Sequence, residues 1–241
     1  MRTLNFKKIL LGSLLGLVLL AAVLGGAWRY TGFGRPLKVS QEYVGALVAG
    51  DKETAQSTST GQAAVVASMI AGSGGPKVNS MKAYIEGLGK NWARIKVQVE
   101  PQLPDGSLEL VWYSLDTLKT DEGWKVALIS EATPTLEGAS LYYPKGEVPQ
   151  LEQVFKGFAA AMGEGDYPEA IKYLTGPVLS QDLSSAGPLF KEIGQIELQP
   201  LWDKGGIVAS RVRFTVSSGE QMLLVSFARL SSGDWKIISI S

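Results

Sequence analysis

Two stretches of this chain are close copies of each other, and this internal repeat constrains the fold more than any other feature. Residues 233–241 read Gly-Asp-Trp-Lys-Ile-Ile-Ser-Ile-Ser, and residues 123–130 read Gly-Trp-Lys-Val-Ala-Leu-Ile-Ser. In each copy a turn that ends at glycine leads into a Trp-Lys pair, at Trp124 and Trp235, and then into a β-branched run. This pattern is typical of a final, buried β-strand.

The segments that precede the two copies repeat as well. Gly50-Asp51 and Gly165-Asp166 each follow an apolar, helix-like segment, and they lie 115 residues apart. Gly61 and Gly176 recur at the same spacing. The sequence therefore predicts two related domains, in which these glycines and aspartates have structural roles.

Charge and composition exclude several classes of function. The first 38 residues carry six basic side chains and no acidic one, whereas residues 39–145 and 146–241 each carry three more acids than bases. A nucleic-acid groove needs clustered Lys and Arg, so we expect no direct binding of nucleic acid. The chain contains no Cys and no His, which removes disulfides, thiolate nucleophiles, cysteine-linked lipid anchors and the commonest metal ligand and general base.

The amino terminus predicts a membrane anchor. Arg2, Lys7 and Lys8 lie in a basic stub, residues 1–8, that we expect in the cytoplasm, and an uncharged run of 19 residues follows at 9–27. A helix of this length spans about 28 Å, close to the thickness of a hydrocarbon core. The large apolar residues of this anchor are Ile9, Leu10, Leu11, Leu14, Leu15, Leu17, Val18, Leu19, Leu20, Val23 and Leu24.

The same segment also fits a cleaved signal peptide, because Gly25 and Ala27 are small residues at positions suited to a cut. Its length favours a retained single-pass helix, since the apolar core of a signal peptide usually has about 7 to 15 residues. Both interpretations place the rest of the chain outside the cytoplasm. The protein is then either anchored in the cell membrane or secreted.

The first domain, predicted at residues 37–131, begins with helices and ends in a sheet. From Arg94 the apolar period changes to two, with Ile95, Val97 and Val99 on one face and polar residues on a wet face. Its predicted elements are helices at 39–49, 62–71 and 78–88, the second of them buried, and strands from residue 94, at 108–118 and at 124–130.

The second domain, predicted at residues 149–241, repeats this order. Asp166 lies where it can cap a short helix. The first helix of this domain presents one apolar face, made by Leu151, Val154, Phe155, Phe158 and Met162. Four strands follow, at 193–202, 207–216, 221–230 and 235–241. Residues 132–148 lack a period and form a linker, in which we expect Tyr142 and Tyr143 to pack against a domain.

The expected fold class is α+β: an N-terminal transmembrane helix followed by two tandem cone-shaped domains, each with helices packed on a curved antiparallel sheet. This order of helix, Gly-Asp, short helices and a meander ending in Gly-x-Trp-Lys resembles the nuclear transport factor two-like (NTF2-like) domains of exported bacterial proteins. One membrane helix before two such domains is similar to the bitopic assembly proteins of conjugation and type IV secretion, including the TcpC-like group. The resemblance covers residues 37–131 and 149–241.

Enzymes of the NTF2-like fold place an acid, Tyr or His inside the cone. Alternation puts Arg211 and Arg213 on the face opposite Val212 and Phe214, where we expect them to be solvated. The residues that could carry such chemistry here are Glu109, Tyr113, Asp116, Asp203, Arg211 and Arg213. Asp116 and Asp203 lie near strand ends or turns, where Asp commonly makes local hydrogen bonds. Trp112, Trp202 and Trp235 are expected in the core.

We therefore assign no catalytic, metal-binding or cofactor-binding residue from the sequence. The repeat residues Gly50, Asp51, Trp124, Gly165, Asp166 and Trp235 are interpreted as structural. The leading hypothesis is a non-enzymatic, membrane-anchored extracytoplasmic module that binds protein partners in the cell envelope, with its own oligomeric state left open. The alternative is an extracytoplasmic carrier or sensor of a small ligand that binds in the apolar cavity of the cone.

Overall fold

A computed structural model of the protein describes residues 34–72, 74–142 and 146–241. The basic stub, the predicted anchor at 9–27 and Tyr143 lie outside the described residues. Within those ranges, no helix has both the length and the apolar character needed to cross a bilayer. The described chain is a mixed α+β structure with two antiparallel sheets, each packed against helices, which is consistent with the predicted cone-shaped units.

The first unit has three helices followed by a four-stranded sheet of order β1-β2-β3-β4. Tyr43 is fully buried at its centre, and its hydroxyl donates to the carbonyl oxygen of Ala63 at 2.9 Å. The elements are α1 (Gly34–Ala49), α2 (Lys52–Ser57), α3 (Gly61–Ser68), β1 (Lys77–Leu88), β2 (Trp92–Gln102), β3 (Val111–Thr120) and β4 (Gly123–Glu131).

The second unit repeats this layout with an added edge strand, so that its sheet has the order β5-β6-β7-β8-β9. The linker, predicted to be irregular, contains β5, and Tyr142 packs against the second core as expected. The elements are β5 (Ser140–Leu141), α4 (Val148–Glu164), α5 (Tyr167–Ile171), the 3-10 helices η1 (Gly176–Ser180) and η2 (Ser184–Phe190), β6 (Ile196–Lys204), β7 (Ile207–Val216), β8 (Gly219–Arg229) and β9 (Trp235–Ile240).

The glycine and aspartate pairs of the two units make the same local structure. Gly50 and Gly165 have φ angles of 73° and 74°, a left-handed conformation that glycine adopts without strain. The side chain of Asp51 accepts a hydrogen bond from the backbone N–H of Thr54, and Asp166 accepts one from Glu169. Each aspartate thus caps the helix that follows.

The closing strands of the two units are also held in the same way. The backbone N–H of Thr60 donates to the carbonyl oxygen of Val126 at 2.8 Å, and that of Thr175 donates to Ile237 at 2.9 Å. Just beyond these contacts the pairing shifts by one residue, at Ala127 in β4 and at Ile238 in β9. The two sheets can therefore be compared residue by residue.

The prediction of a helix at residues 78–88 is wrong, because this segment is strand β1. Its side chains alternate between the two faces of the sheet, with Met81, Ala83 and Ile85 packed against the first core and the residues between them exposed. This is a period of two, which a helix cannot satisfy. The exposed Tyr84 lies next to the partly buried Ile85, and this pair of adjacent apolar residues obscured the alternation.

Other boundaries also differ from the predictions. Helix α1 includes Gly34, five residues before the predicted start, and contains Pro36. The helix predicted at 62–71 was expected to be buried, and this expectation is wrong. Helix α3 buries only Ala63 and Ala67, whereas Val65 is exposed, so the helix lies on the surface of the unit. Strand β3 begins at Val111 and not at residue 108.

Aromatic rings fill the space between helix and sheet in the second unit. Phe155 and Phe158 of α4, Phe190 of η2 and Phe214 of β7 contact one another with ring centroids 5.4 to 6.4 Å apart. Trp235 is 5% exposed at the same core, which confirms the prediction of a buried ring. Aromatic side chains therefore fill the concave face of the second sheet, which is where the alternative hypothesis placed a ligand cavity.

A third apolar cluster joins the two units, and we call it the interdomain core. It consists of Leu110 and Trp112 from the first unit and Ala228, Leu230 and Ile238 from the second, all at most 5% exposed. The cluster lies on the outer faces of the two sheets, because their inner faces cover the separate cores. The two units are therefore packed together.

Polar contacts surround the interdomain core. The backbone N–H of Leu110 donates to the hydroxyl oxygen of Thr175 at 2.7 Å. The carboxylate of Glu100, which is 1% exposed, accepts hydrogen bonds from the N–H of Ser231 at 2.9 Å, from the Ser231 hydroxyl, and from the Asn79 amide at 2.9 Å. A buried carboxylate is tolerated only when it is hydrogen-bonded in this way, so these contacts favour one relative position of the units.

Gly176 of the second unit lies closely against Trp112 of the first unit. Its φ is 67°, and a Cβ atom added there would lie 2.6 Å from the ring of Trp112. Gly61, the corresponding residue of the first unit, has φ 56°, and the nearest atom to an added Cβ would be the carbonyl oxygen of Ala127 at 3.2 Å. Both positions need glycine for the backbone, but only Gly176 needs it for the interdomain contact.

We expect Gly176→Ala to destabilise the protein by about 1 to 3 kcal/mol more than Gly61→Ala, because only the former overpacks the contact with Trp112. Urea unfolding of both variants measures the difference. In a Trp112→Ala background most of the excess cost of Gly176→Ala should disappear, because the other close atom is the carbonyl oxygen of Leu110, 3.0 Å from the added Cβ. Equal costs in the wild-type background would contradict this account of the interface.

Candidate functional site

The outer face of the first sheet carries large apolar side chains that the protein itself does not cover. Trp92, Leu118 and Leu128 are 44%, 43% and 50% exposed, and we call these three residues the outer patch. Trp92 lies directly opposite Leu118 on the neighbouring strand, and Leu128 lies opposite Asp116, the next outward residue along β3. The three side chains therefore form one surface.

An ion pair lies within the outer patch. Nε and Nη2 of Arg94 donate to the two carboxylate oxygens of Asp116 at 2.8 and 3.0 Å, and this hydrogen bonding raises the pKa of Arg94. The pair is solvent-exposed, so it adds little to stability. Its bidentate geometry neutralises both charges at the centre of the patch.

Glycines of the β1–β2 hairpin position the ring of Trp92. A Cβ added at Gly89 would lie 2.5 Å from Nε1 of the ring, and one added at Gly87 would lie 3.0 Å from its far edge. The indole thus lies flat over the hairpin, with one face against the backbone and the other toward solvent. A ring held in this way can form a contact with little loss of side-chain entropy.

A cleft of about 850 Å³ lies between the two units beside the interdomain core, and Leu110 and Trp112 of that core line it. Helix η1 of the second unit forms one wall. The polar side chains of the first unit that line it are Glu86, Lys96, Glu109, Tyr113, Ser114 and Glu131. Lys96 forms an ion pair with Glu86 at 3.0 Å and donates to the carbonyl oxygen of Thr133 in the linker at 3.3 Å.

Burial and negative charge alter the acidity of the groups in this cleft. Burial raises the pKa of the half-buried Glu109. Burial also raises the pKa of Tyr113, and the charges of Glu131 and Glu109 raise it further. The cleft is therefore an acidic, partly desolvated site that suits a small cation or amine better than an anion.

The residues singled out from the sequence fall into separate places. Glu109 and Tyr113 meet in the cleft, whereas Asp116 is paired with Arg94 on the outer patch. Arg213 is exposed, and Arg211 donates to the side chain of Gln199 at 3.5 Å, while Val212 and Phe214 are buried, so the predicted alternation is confirmed. Within the described ranges, no group of three His, Cys, Asp or Glu residues could hold a metal ion.

Asp203 and three tryptophans were also singled out from the sequence. Asp203 lies on β6 opposite Ser140 of the short edge strand, and the hydroxyl of Ser140 donates to its carbonyl oxygen. Trp112 and Trp235 are buried as expected, but Trp202 is 38% exposed. The expectation for Trp202 is wrong because only the two-residue strand β5 lies beside it at the sheet edge.

The outer patch was not predicted from the sequence. A signal for part of it was present, because Trp92 lies two residues before Arg94 and so belongs to the wet face of the same strand. A tryptophan on a wet face is the unusual observation that points to a binding surface. Leu118 and Leu128 gave no such signal, since their faces depend on the register of β3 and on the bulge at Ala127.

No protein-family model matches the chain, and no curated protein matches it. Among solved structures it is similar to an NTF2-like protein involved in plasmid conjugation, with 12% identity and a TM-score of 0.36, over 85% of this chain and 94% of that one. It is also similar to a cystatin-like protein from Ruminococcus gnavus, with 11% identity and a TM-score of 0.27, over 84% of this chain and 71% of that one. These values are too low to establish a shared fold or function.

We expect Glu109→Gln to stabilise the protein at pH 7. The folded chain binds the proton of Glu109 more tightly than the unfolded chain, so stability is lost as this group ionises with rising pH. The gain in melting temperature should vanish below about pH 4, where the carboxyl is protonated in both states. Thermal unfolding from pH 3 to 8 tests this, with Glu220→Gln as an exposed control. A gain that grows toward acidic pH would contradict the assignment.

Proposed function

We propose that the chain is a non-enzymatic module that binds protein partners and helps to assemble a complex of the cell envelope, on two NTF2-like units. The outer patch is the binding surface. The single observation that carries this proposal is the cluster of Trp92, Leu118 and Leu128, which are large, apolar, about half exposed and adjacent on a rigid sheet. Contiguous exposed apolar surfaces of this kind mark interaction sites.

The composition of the patch suits a protein partner. Tryptophan and arginine are enriched at the energetically dominant positions of protein interfaces, and Trp92 and Arg94 stand next to each other on the outward face of β2. Asp116 already neutralises Arg94, so a partner need not supply a matching carboxylate. Apolar contact around a satisfied ion pair avoids an unpaired buried charge.

A small-ligand function is the second candidate, and it belongs to the interdomain cleft. The cone of the second unit is filled by four phenylalanine rings, and Tyr43 is buried in that of the first. The cleft is large enough for a small molecule and carries Glu109, whose raised pKa favours this candidate. Stabilisation of the wild type but not of Glu109→Gln by a small amine would support it.

The proposed location outside the cytoplasm, with the stem retained, depends on the predicted anchor at 9–27, which lies outside the described residues. A phosphatase that needs the oxidising side of the membrane, fused after Ser241, should be active, because both interpretations of the stem export the folded units. Activity of a cytoplasmic reporter at the same position would exclude export. Mass spectrometry of the mature amino terminus distinguishes the anchor from a cleaved signal.

Replacement of outer-patch residues by aspartate should abolish partner binding without unfolding the protein. Crosslinking pull-down from the native membrane should show that Leu118→Asp and Leu128→Asp each reduce capture by more than about tenfold, as expected for energetically dominant contacts. The matched control is Ile171→Asp, since Ile171 is as exposed as Leu128 but lies on α5. Unchanged capture by both patch variants, with melting temperatures preserved, would exclude the patch as the binding surface.

A further inference from the structure

We propose that the outer patch binds a second copy of this chain, through Met222 and Leu224 on the outer face of the second sheet. This inference rests on the proposed function and names its partner. The contact would be head-to-tail and would repeat between chains the contact that already joins the two units within a chain.

Two residues of the outer patch, Trp92 and Leu118, correspond to positions on the face of the second sheet that the first unit covers. Thr117 pairs with Val126 in the first sheet as Phe227 pairs with Ile237 in the second, just before the same shift in pairing. One residue further on, Leu118 therefore corresponds to Ala228. On the adjacent strands Trp92 lies opposite Leu118 as Ile207 lies opposite Ala228.

The two corresponding faces differ in whether they are covered. Ala228 is 1% exposed because Leu110 and Trp112 pack against it in the interdomain core, and Ile207 contacts the same cluster. Leu118 and Trp92 are 43% and 44% exposed. The first unit thus presents the same kind of face, with larger apolar residues and with no part of the described chain covering it.

The second unit presents the element that should cover this face. Trp112 lies six residues before Leu118 on β3, and Met222 lies six residues before Ala228 on β8, so Met222 occupies the position of Trp112. Met222 is 62% exposed, and Leu224, the next outward residue, is 37% exposed. Each chain therefore carries one uncovered face on its first unit and one uncovered apolar projection on its second.

The sizes of the side chains are complementary. Within the chain, the large Trp112 packs on the small Ala228. Between chains, the smaller and more adaptable Met222 would pack on the larger Leu118 and Trp92. Methionine fits irregular apolar surfaces well because its side chain is unbranched and flexible. Close packing constrains the combined volume of the side chains on the two sides of a contact. Because a large residue on one side is exchanged for a large residue on the other, this combined volume is approximately conserved.

The polar contact beside the interface is complementary as well. Within the chain, the carboxylate of Glu100 accepts from the Ser231 hydroxyl. The register places Thr215 at the position of Glu100. Asp121 lies three residues after Leu118, as Ser231 lies three residues after Ala228, and both Thr215 and Asp121 are exposed. The hydroxyl donor and the carboxylate acceptor have exchanged sides, so the same hydrogen bond can form between chains with its direction reversed.

Such a contact joins two different surfaces, so each chain uses both. A head-to-tail contact of this kind generates a ring if the rotation between copies closes, and a filament if it does not. Cysteine crosslinking tests this directly, since the chain contains no Cys and its natural sequence gives no background. Full-length Leu118→Cys and Met222→Cys copies with different tags are co-expressed, and their membranes are oxidised.

The expected result is a disulfide-linked dimer that contains both tags. Each variant expressed alone should give no disulfide-linked dimer, and the double variant should form a ladder of disulfide-linked multimers. Ile171→Cys paired with Met222→Cys is the matched control and should give no dimer. As a second measurement, Met222→Asp should shift the sedimentation of the detergent-solubilised full chain to the monomer, whereas Ile171→Asp should not.

Three outcomes would overturn the inference. Dimers of Leu118→Cys with itself, and none with Met222→Cys, would mean a two-fold contact of the patch with its own copy. Capture of a different protein at Leu118→Cys alone would mean that the proposed function holds and that the partner is not a second copy. Absence of every crosslink, together with normal partner capture by Leu118→Asp, would overturn both the inference and the proposed function.

Discussion

The contact of Trp112 with Gly176 is the interaction on which the arrangement of this protein depends. It brings the outer faces of two sheets together, whereas the inner faces already have their own cores. Removal of this contact would expose the apolar residues Leu110, Ala228, Leu230 and Ile238 together. Gly176 has a left-handed backbone conformation, which ends the short bridge to the closing strand that precedes it. Because it has no side chain, Gly176 also leaves room for the indole ring of Trp112.

A hydrogen-bonded carboxylate complements this apolar contact. Apolar clusters tolerate small shifts, since the hydrophobic effect has no direction. Glu100 is buried and accepts hydrogen bonds from Ser231 and Asn79, so a shift of one unit would leave a charged group without partners. The apolar cluster therefore supplies attraction, and Glu100 selects one geometry.

Local patterns in the sequence allowed much of the fold to be predicted. Strands from Arg94 onward follow from the period of two and from turn residues, and Asp166 follows from capping chemistry, because each signal lies within a few residues. The interdomain core could not be predicted, since it joins groups such as the Leu110 N–H and the Thr175 hydroxyl, 65 residues apart. For the same reason the cleft that unites Glu109 with η1 was missed, and only Trp92 of the outer patch could be recognised.

The linker is held at both ends. The N–H of Ala132 extends the pairing with Trp112, Lys96 binds the carbonyl of Thr133, and β5 joins the edge of the second sheet. A short, held connection gives the two units a high effective concentration for each other, so their contact does not depend on how much protein is present. A corresponding contact between chains lacks this advantage and must overcome the full entropy of association. Self-association would then respond to local crowding of the chains, and confinement to a membrane surface is a simple way to produce it.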